Sequence, residues 1–261
     1  MGLLSLDSFL ASGRHNVWRG DELGGADAQV VATGHAALDA ELPGGGWPVG
    51  AMTEVLQSTP EAHVWQLLLP ALAQAVQDRG GPVVMVGAPH EPFGPALAAG
   101  GLPVEALMWI RGQASGACLW ACEQALRCAD VAAVLAWLPQ ARVGELRRLQ
   151  LAAAQHEALL FVFRPESVAQ TASPARLRLQ VVRDEAHMQV HLLKRRGPPL
   201  AMPLTLPARN GRMSALLAAS QMRRKARLHP QGAPLELGPV VVRIDTWKGA
   251  QGALGRAPVA A

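Results

Sequence analysis

The first quarter of the chain has the layout of a phosphate-binding segment but lacks the residues that bind phosphate. The stretch "GGGWPVGAMTEVLQ" (44–57) leads into the loop "STPEAHV" (58–64), and a long apolar stretch follows. Phosphate-binding loops work because glycines let successive backbone N–H groups converge on the phosphate. A lysine then neutralises its charge, and a Ser or Thr hydroxyl binds Mg²⁺. This loop contains neither glycine nor lysine.

The loop residues themselves disfavour an anion. Pro60 has no N–H to donate, Glu61 brings a negative charge, and Val64 offers only hydrocarbon. His63 is mostly neutral near pH 7. We therefore predict that the loop binds no phosphate, that the protein needs no cofactor, and that the glycines at 44, 45, 46 and 50 serve a tight turn with positive φ.

Composition sets the class of protein. The chain has 261 residues, half of them apolar, and a formal net charge of +4. No apolar run reaches the length of a membrane span, and no basic segment precedes the apolar N-terminal residues, so we expect a cytoplasmic protein without a secretory signal. Cys118, Cys122 and Cys128 are an odd number in a short stretch, unlike a disulfide framework. The spacing of Cys118 and Cys122 places them on one helix face, and without a second ligand pair nearby we predict that these two are buried thiols rather than metal ligands.

Basic residues concentrate in the last third of the chain. The stretches "KRR" (194–196) and "RNGRMSALLAASQMRRKARLHP" (209–230) contain no acidic residue. Such a block suits an acidic partner, either nucleic acid or an acidic protein surface, and a solvated tail is the alternative. The predicted partner- or DNA-binding residues are Lys194, Arg195, Arg196, Arg223, Arg224, Lys225 and Arg227.

Hydrophobic patterns predict alternating strands and helices. Aliphatic runs bounded by proline or polar residues predict buried strands within 81–92, 130–139 and 157–165. Apolar residues at helical spacing predict helices at 61–78, 114–128 and 142–155. This alternation is typical of a mostly parallel sheet flanked by helices. The segment "ARLRLQVVRDEAHMQVHLLKRR" (175–196) instead alternates apolar and polar residues, which predicts an antiparallel hairpin at the sheet edge.

Three regions follow from these patterns. Residues 1–28 are predicted to hold a short helix (3–11) and a linker, residues 29–206 an α/β core, and residues 207–261 a basic extension that is partly flexible and includes a strand-like run at 239–247.

The opening of the core resembles a known family. The segment "ATGHAALDAELPGGGWPVGAMTEVLQ" (32–57) is similar to the part of RecA that leads into its phosphate loop. With "PHEPFGPALAAGGL" (89–102) and the basic C-terminal part, it resembles more specifically the ImuA proteins of SOS mutagenesis cassettes, which have the SulA cell-division inhibitors as relatives. The resemblance implies a RecA-like core with a degenerate phosphate loop.

Departures from the RecA pattern fall on its functional positions. The resemblance places the phosphate-loop positions at Gln57, Ala62, His63 and Val64, with His63 at the lysine and Val64 at the metal-binding Thr. Ala136 stands where a strand aspartate would bind the metal. Glu91 lies near the position of the catalytic glutamate, but it is flanked by prolines. These losses together predict a binding protein rather than an enzyme.

The resemblance to ImuA implies an accessory role in damage-induced translesion DNA synthesis. The expected partner is ImuB, an inactive relative of Y-family polymerases, while contact with RecA, non-specific DNA contact and self-association stay open. A SulA-like inhibitor of cell division during the SOS response is the alternative. An ATPase with an unorthodox site is a third hypothesis.

Overall fold

A computed structural model describes residues 29–59, 65–112, 114–184, 187–208 and 222–223. The helix predicted at 3–11 and the strand predicted at 239–247 lie outside the described residues, and the three predicted region boundaries stay predictions. Met222 and Arg223 are helical and exposed, and they belong to a unit (215–261) that is separate from the one containing the sheet.

The sheet-containing unit alternates strands and helices. Its strands are β1 (Val30–Val31), β2 (Trp47–Pro48), β3 (Ala51–Gln57), β4 (Val83–Val86), β5 (Leu107–Ile110), β6 (Ala133–Trp137), β7 (Leu159–Pro165), β8 (Leu177–Arg183), β9 (His187–Lys194) and β10 (Leu204–Pro207). Its helices are α1 (Ala36–Asp39), α2 (Trp65–Arg79), α3 (Gly94–Ala99), α4 (Ser115–Arg127) and α5 (Val143–His156), with short 3-10 turns at Val104–Ala106 and Glu166–Val168. None of the described helices is long and apolar enough to cross a membrane.

Eight of the described strands form one sheet in the order β10-β9-β8-β3-β7-β6-β4-β5. Strands β3 to β8 pair in parallel with one another, whereas β9 pairs antiparallel with both β8 and β10. The predicted fold class, a mostly parallel α/β sheet with an antiparallel hairpin towards one edge, is confirmed. Strand β10 lies outside the predicted hairpin and forms the actual edge on that side.

Helices cover both faces of the sheet. Because successive residues of a strand point to opposite faces, Phe161 packs in the core beneath α2, whereas Leu160 and Val162 pack in the core beneath α4 and α5. Strands buried on both faces read as continuous aliphatic runs, which is why β4, β6 and β7 were predictable from sequence. The apolar face of α2 is part of the core, and Pro70 lies inside this helix.

The Gly-rich turn before β3 has two different requirements for glycine. Gly44, Gly45 and Gly50 have positive φ (81°, 79° and 67°), as predicted. The prediction is wrong for Gly46, whose φ is not in the left-handed region. A Cβ at Gly46 would lie 2.4 Å from the carbonyl oxygen of Val31, so glycine is needed there because the backbones of β1 and the turn approach closely.

Reactivity of the three thiols tests the packing of α4. Cys118 and Cys122 are buried and Cys128 is exposed. Burial, reinforced by the neighbouring Cys118 and Glu123, raises the pKa of Cys122 to about 12, so its thiolate does not form near neutral pH. We expect one thiol per chain to react rapidly with a thiol reagent at pH 8 and all three to react after denaturation. A Cys128→Ser variant should lose the rapid reaction, and rapid reaction of two thiols in the folded wild type would contradict the packing.

Candidate functional site

The carboxyl ends of the parallel strands converge on a pocket, which is where open α/β sheets bind ligands. The pocket has a volume of about 200 Å³ and lies at the ends of β3, β4, β6 and β7. Its described lining residues are Gln57, Gly87, Pro89, Trp137, Pro139, Phe163, Arg164 and Pro165.

The walls of this carboxyl-end pocket are mainly apolar. The rings of Trp137 and Phe163 stack with centroids 4.2 Å apart and planes 22° apart. Three of the lining residues are prolines, which have no backbone N–H to offer an anion. The described lining contains no lysine. Its one arginine, Arg164, already donates to a carboxylate and to the carbonyl oxygen of Ala141. These residues favour apolar contact over phosphate binding.

The positions that the resemblance assigned to nucleotide chemistry are only partly described. Ala62, His63 and Val64 lie outside the described residues. Gln57 is the buried last residue of β3. Ala136 is buried in β6 in register with Val86 of β4, and a methyl group there cannot hold a metal. Among the described residues no group of three His, Cys, Asp or Glu side chains could bind a metal ion.

Glu91 takes no part in the described lining of the pocket. Its carboxylate lies 3.7 Å from the guanidinium of Arg111, and both side chains are largely exposed. Arg111 also lies over the ring of Trp109 at 4.0 Å. These contacts place Glu91 in a surface ion pair.

A buried charge cluster lies beside the carboxyl-end pocket. Glu54, in the central strand β3, is fully buried and accepts hydrogen bonds from Arg164 of β7 (2.9 Å) and Arg178 of β8 (2.5 Å). Two guanidinium groups and one carboxylate leave an excess positive charge. The carbonyl oxygens of Val168, Ala169 and Thr171 accept hydrogen bonds from Arg178 and help to satisfy it.

Residues that carry the resemblance to RecA have identifiable structural roles. The Asp39 carboxylate accepts a hydrogen bond from the Thr33 backbone N–H at 2.8 Å. Leu38 and Leu42 are core residues. Gly46 and Glu54 belong to the same segment (32–57). The segment therefore closes the turn in front of β3 and positions the buried Glu54 carboxylate. These roles do not depend on a nucleotide.

The basic residues predicted from sequence fall into two groups. Lys194, Arg195 and Arg196 follow one another at the end of β9, and with Arg176 they line a second pocket of about 420 Å³. Arg176 was missed because it is a single charge in an alternating strand pattern. Arg223 is exposed in the separate unit, and Arg224, Lys225 and Arg227 lie outside the described residues.

Comparison with known proteins shows similarity to one family. Residues 50–160 match the family model described as cell division inhibitor SulA. A cell division inhibitor SulA from Edwardsiella piscicida is 33% identical over 100 residues, which cover 38% of this chain and 60% of that protein. The chain thus spans about 60% of the length of this curated relative.

The matched segment runs from the turn before β3 to the first residues of β7. It includes Glu54 and the helices α2, α4 and α5, but neither Arg164 nor Arg178. The similarity supports a SulA-like relationship for this part of the chain, and it is not specific to ImuA.

The charge cluster generates a stability prediction with an internal control. Replacing Glu54 by Gln leaves two buried guanidinium groups without a carboxylate, and such losses cost about 3–5 kcal/mol. Replacing Glu91 by Gln breaks a Glu–Arg pair that is exposed, and it should change the free energy of unfolding by less than about 1 kcal/mol. Urea denaturation of both variants measures the difference, and equal effects would contradict a central role for the cluster.

Proposed function

We propose that this protein is a non-catalytic, protein-binding inhibitor of cell division that acts like SulA in the SOS response. The observation that carries the proposal is the similarity of residues 50–160 to SulA. The apolar carboxyl-end pocket supports the absence of catalysis, because its described residues offer little to hold a triphosphate.

Exposed apolar side chains in the SulA-like segment support protein binding. Phe93 is 72% exposed, Trp120 65% and Leu151 69%, and Met108 also projects into solvent. Aromatic residues and methionine are enriched at protein interfaces, and tryptophan is prominent among the residues that dominate binding energy. We assign the division-inhibiting surface to this segment, with Phe93 and Trp120 as its main candidates.

An adaptor in translesion DNA synthesis is the second candidate. It is favoured by the ImuA-like "PHEPFGPALAAGGL" (89–102) and by the basic stretch at 209–230, which lies beyond the SulA-like segment. In this role the protein would bind an ImuB-type polymerase relative, with RecA, DNA or a second copy as further partners.

Overproduction of the full chain in a bacterial host tests the first proposal. We expect long, undivided cells that still replicate DNA, as measured by microscopy and DNA content. Trp120→Ala and Phe93→Ala should each weaken this effect, because loss of a dominant interface side chain costs about 2 kcal/mol of binding.

Met202→Ala provides the matched control. Met202 is also strongly exposed, at 74%, but it lies outside the SulA-like segment. Normal cell length on overproduction of wild-type protein, combined with capture of an ImuB-type protein, would reject division inhibition and favour the adaptor.

Nucleotide binding tests the proposed lack of catalysis. We expect titration of ATP with Mg²⁺ into the purified protein to give no saturable heat and no rise in Tm. A ligand present at 100 times its Kd would stabilise the folded protein by about 2.7 kcal/mol, which a thermal shift would detect. Saturable ATP binding, or ATPase activity that co-elutes with the protein during purification, would instead support the ATPase hypothesis.

A further inference from the structure

The second pocket lies at the opposite end of the sheet from the carboxyl-end pocket. Leu177 is the first residue of β8 and Lys194 the last residue of β9, which runs antiparallel to it. Pro48 of β2 precedes β3. The pocket is therefore at the amino ends of β3 and β8, and we call it the basic pocket.

The basic pocket combines an apolar floor with a cationic rim. Val30, Leu42, Pro48 and Leu177 supply hydrocarbon surface, and Leu42 and Leu177 belong to the buried core. The rim is formed by Arg176, Lys194, Arg195 and Arg196. No carboxylate occurs among the described lining residues, so the pocket is electropositive.

The rim residues differ in how far their charge is compensated. The guanidinium of Arg195 donates to the Glu41 carboxylate at 2.7 Å and to the carbonyl oxygen of Pro198 at 2.8 Å, which fixes it as a wall of the pocket. Lys194 donates to the carbonyl oxygen of Ser173, a neutral acceptor that leaves the ammonium charge intact. Arg176 and Lys194 are both exposed. Their charges therefore remain available to an anionic ligand.

The chemistry of the pocket distinguishes an acidic peptide from a nucleic acid. Proteins that bind single strands pair cationic grooves with aromatic rings on which bases stack, and the described lining of this pocket has no aromatic residue. An apolar centre with a polar, solvent-accessible rim is instead typical of protein–protein binding sites, where arginine is also enriched. A volume of about 420 Å³ is in the range of pockets that enclose a ligand.

We propose that the basic pocket binds an acidic peptide segment of a partner protein. An apolar side chain of the peptide lies on the floor formed by Val30, Leu42 and Leu177, and its carboxylates face Arg176 and Lys194. This inference rests on the proposed protein-binding function and adds the chemistry of one partner. It applies equally to a partner in cell division or in translesion synthesis.

Fluorescence anisotropy with a labelled Asp-Asp-Leu-Leu-Asp-Asp peptide and the full chain tests the proposal. We expect saturable binding at low salt that weakens as salt rises. The double substitution Arg176→Glu with Lys194→Glu should lower affinity by about tenfold or more, because it opposes like charges across the interface. The matched control, Arg127→Glu with Arg147→Glu, makes the same change of charge on exposed positions of α4 and α5 and should leave affinity nearly unchanged.

Two further probes identify the ligand class. A peptide in which both leucines are replaced by serine should bind markedly more weakly, and an oligo-dT strand of equal charge should not displace the original peptide. The proposal would be overturned by absence of binding, by equal binding of the serine peptide, by equal loss in the control variant, or by displacement with oligo-dT.

The outcomes separate this proposal from the proposed function. If the peptide binds and the Arg176 and Lys194 variant loses this binding, the basic pocket is a peptide-binding site even if overproduction does not block division. Conversely, filamentous cells together with no peptide binding would support division inhibition and would reject peptide binding by the basic pocket.

Discussion

The central strand depends on a carboxylate that is removed from water and held by two guanidinium groups. Glu54 is fully buried in β3, and its partners Arg164 and Arg178 lie in the strands on either side. A charge in the middle of a sheet is tolerated only when it is paired and hydrogen-bonded. The excess positive charge is directed at backbone carbonyl oxygens of the turn after β7, so the same cluster that joins three strands also fixes that turn. The stacked rings of Trp137 and Phe163 occupy the adjacent strand ends.

The two ends of the sheet offer different chemistry. At the carboxyl ends, prolines and aromatic rings make a small apolar pocket where related architectures bind nucleotides. At the amino ends, a larger pocket has an apolar floor and a rim of arginines and lysine. Exposed Phe93 and Trp120 add a third kind of surface within the SulA-like segment. We propose the second and third of these as surfaces that contact a partner protein.

Sequence patterns predicted the buried part of the fold better than its margins. β4, β6 and β7 were predictable because burial on both faces produces continuous aliphatic runs, and α2, α4 and α5 because each buries apolar residues at helical spacing. β5 and β10, with four residues each, were missed because their pairing is decided by tertiary neighbours. Only part of the basic pocket was predictable. Lys194, Arg195 and Arg196 form a cluster that is visible in the sequence, but Arg176 and the apolar floor come from other parts of the chain. The pairing of Glu54 with Arg164 and Arg178 also had no local signal, since no short-range pattern connects residues so far apart.

That separation has a consequence for how the chain acquires its structure. Arg164 and Arg178 lie 110 and 124 residues beyond Glu54. During synthesis, β3 therefore leaves the ribosome long before either strand that flanks it, and its carboxylate stays hydrated until both have emerged. Pairings of this range slow folding, because a large loop must close before the contacts form. Until both flanking strands have paired with it, β3 has unpaired edges, and edges of this kind allow competing pairings in incompletely folded chains.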